Sequence, residues 1–169
     1  FFTSAEFPVA LRLIHLMLGE VTDGSRVSQE VAEWLDLYFA SAEPVQEAEM
    51  HLDPLHRALA AAVYGSAAMQ TGAKAKPAAI GRKGIQWVLH AARTRYAKEF
   101  LSLGVEQQTA ILHSISDETP DQPENSGTRF FTLLKAETIR GFYTSRMGLQ
   151  ELNFKGNAFY AQSPGCNSK

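Results

Sequence analysis

The spacing of the apolar residues constrains this chain more than any other feature. Phe7, Leu11, Ile14 and Leu18 lie three or four apart, and Val27, Val31, Trp34, Leu35 and Tyr38 form a second such stripe. Further stripes are Ile85, Val88, Leu89, Ala92 and Tyr96, then Gln108, Ile111, Leu112 and Ile115, then Phe130, Phe131, Leu134 and Phe142. A period near 3.6 gives amphipathic helices with one apolar face, and few stretches alternate with period two, so a sheet is not expected. With 169 residues, 45% of them hydrophobic, one domain can bury a sizeable core without metals or disulfides. The fold class read from this pattern is all-α: a single-domain bundle of about six helices with an extended C-terminal tail.

Local signals set the expected boundaries. Thr3-Ser4-Ala5-Glu6 is a capping-box pattern, in which the hydroxyl accepts from the amide three residues on and the Glu carboxylate reaches back. Pro8 sits late in the first turn, and the helix is expected to end near Gly19. Pro44 is expected to close the second helix. Asp53-Pro54 reads as an N-cap followed by a first-turn proline, and the Ala-rich run 55–69 as a third helix. Residues 71–84 contain Gly72, Pro77, Gly81 and Gly84 among lysines and an arginine, which predicts a mobile basic loop before the fourth helix. Leu103-Gly104 breaks that helix from the fifth. An acidic surface loop spans 116–127, and Thr128 opens the sixth helix. From 144 to 169 no helical period is present, yet Leu149, Leu152, Phe154, Phe159 and Tyr160 remain. A disordered tail would lack them. Residues 1–143 are therefore read as the helical domain and 144–169 as a tail lying on that domain or on a partner.

The formal net charge of −2 gives no global reason to expect nucleic acid as a ligand. The charges are nonetheless segregated. Residues 54–98 hold eight Lys and Arg and no carboxylate, whereas 99–128 hold six carboxylates and no Lys or Arg. Placed on different faces, these would make a dipolar surface that orients a partner; the plainer alternative is two solvated faces. Trp87 and Tyr96 beside basic residues could stack on bases, but the acidic stretch that follows argues against it. No window approaches the roughly 18 continuous apolar residues of a membrane span. Phe1 is preceded by neither a basic region nor a small-residue cleavage site, so any leader is expected to have been removed or left out.

Catalytic and cofactor signatures are missing. There is no Gly-x-Gly-x-x-Gly, no P-loop, no nucleophile elbow and, with one cysteine, no Cys-x-x-Cys-His. His51, Asp53 and His56 are the closest potential ligands, but the two histidines are five apart across a helix start and no third ligand is evident. A polar helix end is the expected role, and a metal site would need the loop to fold back. His15, His90 and His113 stand alone beside apolar stripes, and Trp34 and Trp87 read as core. No catalytic, cofactor-binding or metal-binding residue is assigned. Cys166 lies in a Ser-Pro-Gly-Cys-Asn-Ser tail and is either a free thiol or half of an intermolecular disulfide.

Several stretches in order resemble the gluconate 2-dehydrogenase subunit 3 family. They are Phe1-Phe2-Thr3-Ser4-Ala5-Glu6-Phe7, Arg95-Tyr96-Ala97-Lys98-Glu99-Phe100-Leu101-Ser102-Leu103, Phe130-Phe131-Thr132-Leu133-Leu134-Lys135, Gly141-Phe142-Tyr143-Thr144-Ser145, Phe154-Lys155-Gly156-Asn157 and Pro164-Gly165-Cys166. The chain departs from the family in lacking a leader, in having Gly104-Val105 where Ser-Pro or Thr-Pro is common, and in its basic insert-like stretch. The resemblance implies a non-catalytic small subunit, usually made with a twin-arginine leader. Its partner would be a flavin-dependent sugar or polyol dehydrogenase of the glucose-methanol-choline class, which holds the FAD and the substrate site. A c-type cytochrome often carries the electrons onward in such complexes. The small subunit would escort and stabilise its partner, in a periplasmic complex associated with the membrane. The alternatives are a free-standing helical adaptor or regulator and, further off, a small cytoplasmic enzyme. Under the first reading the partner-binding residues are expected to be Phe142, Tyr143, Phe154, Lys155, Asn157, Phe159 and Tyr160, because large aromatics without a helical period suit interface hot spots. Cys166 is the candidate for a bridge to the partner.

Overall fold

In a computed structural model, the structure describes residues 1–19, 24–64, 76–116 and 126–154. These form seven α-helices and one 3-10 turn, with no strand among the described residues. The helices are α1 (Phe7–Leu18), α2 (Gly24–Met50), α3 (Pro54–Tyr64), α4 (Pro77–Tyr96), α5 (Val105–Ser116), α6 (Ser126–Thr144) and α7 (Arg146–Glu151), with the 3-10 turn at Phe100–Ser102. The all-α reading stands.

The predicted stripes become the core. Leu13 and Ile14 of α1, Val27, Val31, Leu35 and Phe39 of α2, Ile85 and Val88 of α4, Ile111 of α5, and Phe130 and Leu134 of α6 are all fully enclosed. The most extensive packing joins α4 to α6 and α1 to α2. Trp34 and Trp87 pack on the outside of this core, and Trp34 stacks on Tyr38 with ring centroids 5.5 Å apart. Phe1 and Phe2 cover Phe39 at 5.1 and 5.7 Å. Phe2 N–H donates to Asp36 Oδ1 at 2.7 Å, which fastens the opening segment to α2.

The expected capping box is present in both halves, since Glu6 N–H donates to Thr3 Oγ1 at 3.2 Å and Thr3 N–H to Glu6 Oε2 at 3.0 Å. Pro8 falls in the first turn, where its missing N–H would have had no helical partner. Gly19 ends α1 at φ +68, a backbone conformation that favours glycine. Asp53 Oδ1 accepts from His56 N–H at 3.0 Å and caps α3 as expected.

Five boundaries differ from the sequence reading, the first being that α4 ends at Tyr96, before a separate 3-10 turn, rather than at Leu103-Gly104. Pro44 does not close α2, which runs on to Met50; an interior proline removes one backbone bond and need not end a helix already anchored in the core from Val27 to Phe39. Residues 77–84 are not loop but the first two turns of α4, with Pro77 at its start. Gly81 and Gly84 serve close packing there. A Cβ on Gly84 would lie 1.9 Å from Phe130 Cγ, and one on Gly81 would lie 3.1 Å from the Phe39 ring. The remainder of the expected basic loop, 71–75, and the end of the expected third helix, 65–69, lie outside the described residues. The sixth helix of the sequence reading begins at Ser126 rather than Thr128. The stretch beyond Thr144 was expected to lack helix, yet Arg146–Glu151 forms α7 because Ser145 caps it, its Oγ accepting from Gly148 N–H at 2.9 Å. Met147 packs on the core and its N–H donates to Glu30 Oε2 at 2.8 Å.

Candidate partner interface

Three of the expected partner-binding residues, Phe142, Tyr143 and Phe154, lie at the end of α6 and beyond α7. Phe142 is half-buried and packs against the core, so it belongs to the bundle as much as to its surface. Tyr143 meets Phe142 edge to face at 5.5 Å and is exposed. Neighbours on a helix are separated by roughly 100°, so Phe142 turns towards the core and Tyr143 towards the surface while their rings stay in contact. Gly141, one residue earlier, lets α6 approach α2: a Cβ there would sit 3.0 Å from Val31 Cγ1.

Phe154 is aimed outward by the backbone. Asn153 takes φ +51, Asn153 N–H donates to the Gln150 carbonyl and Phe154 N–H to the Leu149 carbonyl, each at 2.9 Å. This is the Schellman arrangement, with Asn in the left-handed position that glycine usually fills. The chain turns there, and Leu152 and Phe154 are left exposed. Lys155, Asn157, Phe159, Tyr160 and Cys166 lie outside the described residues.

An apolar groove that the sequence did not reveal lies between the end of α1, α5 and α6. It has a volume of about 290 Å³ and is lined by Leu16, Leu18, Leu112, Phe131, Thr138 and Ile139, among others, with Lys135 and His113 among its polar residues. Exposed Ile139, at the edge of the groove, lies one helical turn before Tyr143. No local signal marks this groove, since it exists only where three helices fail to close.

Polar groups inside the bundle are structural. Gln108, expected on an apolar face, is buried; its amide donates to the Phe100 carbonyl at 3.0 Å and its Oε1 accepts from Arg12 Nε at 2.8 Å. Glu137 is buried on α6, and burial pushes its carboxyl above the usual range despite Arg140 and a hydrogen bond with Tyr38. The Tyr38 phenol is pushed up by burial and by the Glu137 charge. Burial also acts to raise the Glu6 carboxyl, but its hydrogen bonds to Thr3 and the Arg82 guanidinium outweigh it and hold the group low. Hydrogen bonds from His56 hold the Asp53 carboxyl below the usual range. His51 Nδ1 instead lies 2.7 Å from the Glu47 carbonyl, so the loop does not fold His51 back to join Asp53 and His56. No group of three potential metal ligands is found among the described residues.

Asp117, Glu118, Asp121 and Glu124, most of the acidic stretch, lie outside the described residues. Arg93 pairs with Glu99 at 2.9 Å, and Arg82 bonds Glu6 at 3.1 Å and the Phe1 carbonyl at 3.0 Å while lying 4.2 Å over the Phe1 ring. These arginines fasten the bundle to itself. No helix among the described residues is long and apolar enough to cross a membrane.

The described residues thus form an all-α domain with exposed aromatics at the end of α6 and just beyond α7, Tyr143 and Phe154. The particular family follows from comparison: the gluconate 2-dehydrogenase subunit 3 model matches residues 6–165, and the chain belongs to that family. No curated protein matches it, and no solved structure does. Membership makes the chain a subunit of a dehydrogenase complex.

Proposed function

We propose that the chain is the non-catalytic small subunit of a periplasmic, FAD-dependent sugar or polyol dehydrogenase of the glucose-methanol-choline class, acting as escort and stabiliser of the flavoprotein. The observation that carries this reading is the family match over nearly the whole chain. FAD and the substrate site belong to the partner, and haem c to a cytochrome where a third subunit is present. Tyr143 and Phe154 supply exposed aromatic anchors, with Phe142 supporting Tyr143 from below. Lys155, Asn157, Phe159 and Tyr160 are assigned to partner binding on the family resemblance, and Cys166 to a bridge with the flavoprotein in an oxidising compartment. The family match favours this reading over a free-standing adaptor.

The experiment is co-purification of the tagged chain from its source. A flavoprotein of several hundred residues and FAD absorbance are expected in stoichiometric amount, while the chain purified alone carries no flavin and reduces no artificial acceptor. Stoichiometric flavin in the isolated chain would overturn the assignment of FAD to the partner.

A further inference from the structure

Pro8, Leu11, Arg12 and His15 fall at i, i+3, i+4 and i+7 of α1 and so share one face of that helix. This face lines a cup of about 350 Å³ that Ser28 of α2 and Leu101 of the 3-10 turn complete. Leu101 stands at its rim, 48% exposed. Apolar walls around a few convergent polar groups are the usual make-up of a small-ligand site.

Arg12 is held in that cup by neutral groups. Its Nε donates to Gln108 Oε1 at 2.8 Å, and Gln108, 3% exposed, is itself fixed by donating to the Phe100 carbonyl at 3.0 Å. Arg82 and Arg93 are paired with Glu6 and Glu99, whereas no carboxylate among the described residues pairs with Arg12. Its charge is therefore oriented but not matched. With Nε taken, Nη1 and Nη2 remain as two parallel donors, the end of a guanidinium that receives a carboxylate in bidentate fashion. His15 lies one turn further on, its Nδ1 3.3 Å from the hydroxyl of buried Ser28. That contact orients the ring and leaves Nε2 for a ligand. Nε2 donates in the charged ring, and also in the neutral tautomer in which Ser28 donates to Nδ1.

Charge and wetting select the anion. One guanidinium supplies one full positive charge and no lining residue is acidic, which suits a single carboxylate. A phosphate dianion would bring a second charge and a hydration shell that Pro8, Leu11 and Leu101 cannot replace. Those walls instead give cover to an apolar group attached to the carboxylate.

We propose that Arg12, His15 and Ser28, walled by Pro8, Leu11 and Leu101, form a binding site for a carboxylate carried on a short apolar body. A free acid and an acidic side chain of a bound protein present the same group to the same atoms. The inference stands independently of the proposed function.

The probe is butyrate, titrated into the full chain at constant ionic strength and followed by the NMR shifts of backbone amides and of the Arg12 Nε–H, with chloride and inorganic phosphate titrated in parallel. Saturable shifts centred on Arg12, His15, Ser28 and Leu101 are expected with butyrate, and weaker binding with phosphate. Leu101→Asp sets a like charge beside the site from an exposed position, and Arg12→Lys keeps the charge but loses the fork. Each is expected to weaken butyrate binding roughly tenfold or more while melting near the wild type. Shifts that do not saturate, equal shifts with chloride, or variants that bind as well as the wild type overturn the site. If Arg12→Lys melts early while Leu101→Asp binds normally, Arg12 is a strut of the bundle and the site falls. Binding that appears only after Glu20→Gln or Asp23→Asn shows that the chain fills the cup with its own carboxylate, and it overturns an external ligand. Titrating the complex with the catalytic subunit separates the two sources. Butyrate that still binds there marks a free acid, whereas butyrate excluded from the complex, with Leu101→Asp loosening it, marks a carboxylate of the partner. If the chain captures no flavoprotein, the proposed function fails, and the titration of the chain alone still decides the site.

Discussion

Glu137 shows what a single residue can cost this bundle. Its side chain is 4% exposed on α6, and its Oε2 has no hydrogen-bond partner, with Arg140 Nη1 3.4 Å away. Burial raises the carboxyl above its ordinary value of 4.5. A group whose acidity is weakened by folding binds its proton more tightly in the folded state. Its stabilising contribution is therefore complete below the unfolded value and is lost as pH rises through the folded one. Glu137→Gln, which keeps the size and the capacity to bond Tyr38, is expected to melt with the wild type at about pH 4 and above it at pH 7. Calorimetry across that range checks it, and a melting difference independent of pH would remove the titration from the explanation. The sequence offered no sign of this residue, because which of 18 carboxylates ends up covered depends on how α2 lies across α6.

At the scale of elements, helix starts were read well where a side chain makes the cap and less well where packing decides. Thr3, Glu6 and Asp53 carry their hydrogen-bonding chemistry in the sequence and cap as expected. Gly81 and Gly84 carry none, so they read as loop residues, although they are the small residues that let α4 touch Phe39 and Phe130. Gly104 falls between these cases. Its N–H donates to Gln107 Oε1 at 3.3 Å, which is one half of a capping box without the hydroxyl half. Space around its Cα is open. Gly104→Ser should complete the cap and add a few tenths of a kcal/mol, seen as a higher urea midpoint at unchanged slope. A lower midpoint would show that this turn needs the freedom of glycine.

For the molecule as a whole, the arrangement separates a closed aliphatic core from apolar residues left on the surface. Tyr143, Phe154, Leu55 and Leu59 lie at least half exposed, and truncating such residues leaves the core untouched. Tyr143→Ala combined with Phe154→Ala is therefore expected to weaken the complex with the flavoprotein by about 2 kcal/mol or more while shifting the isolated chain's melting temperature little. Titration calorimetry and thermal melting of the same preparations check both halves. An early-melting double variant that still binds normally would place these aromatics in the chain's own packing instead.

The sequence by itself determined the helices and their buried faces, because amphipathic periodicity and side-chain caps act over one or two turns and need no distant partner. It also carried the family, through packing and turn residues whose order survives without any reacting group. Only the tertiary structure decided that α2 continues through Pro44, that α7 forms beyond Thr144, and that α1, α5 and α6 leave a groove between them. The same holds for α3, read from its alanines alone, whose Leu55, Leu59 and Val63 are exposed. A periodic pattern specifies that a face is apolar, but what covers that face depends on where the other helices lie.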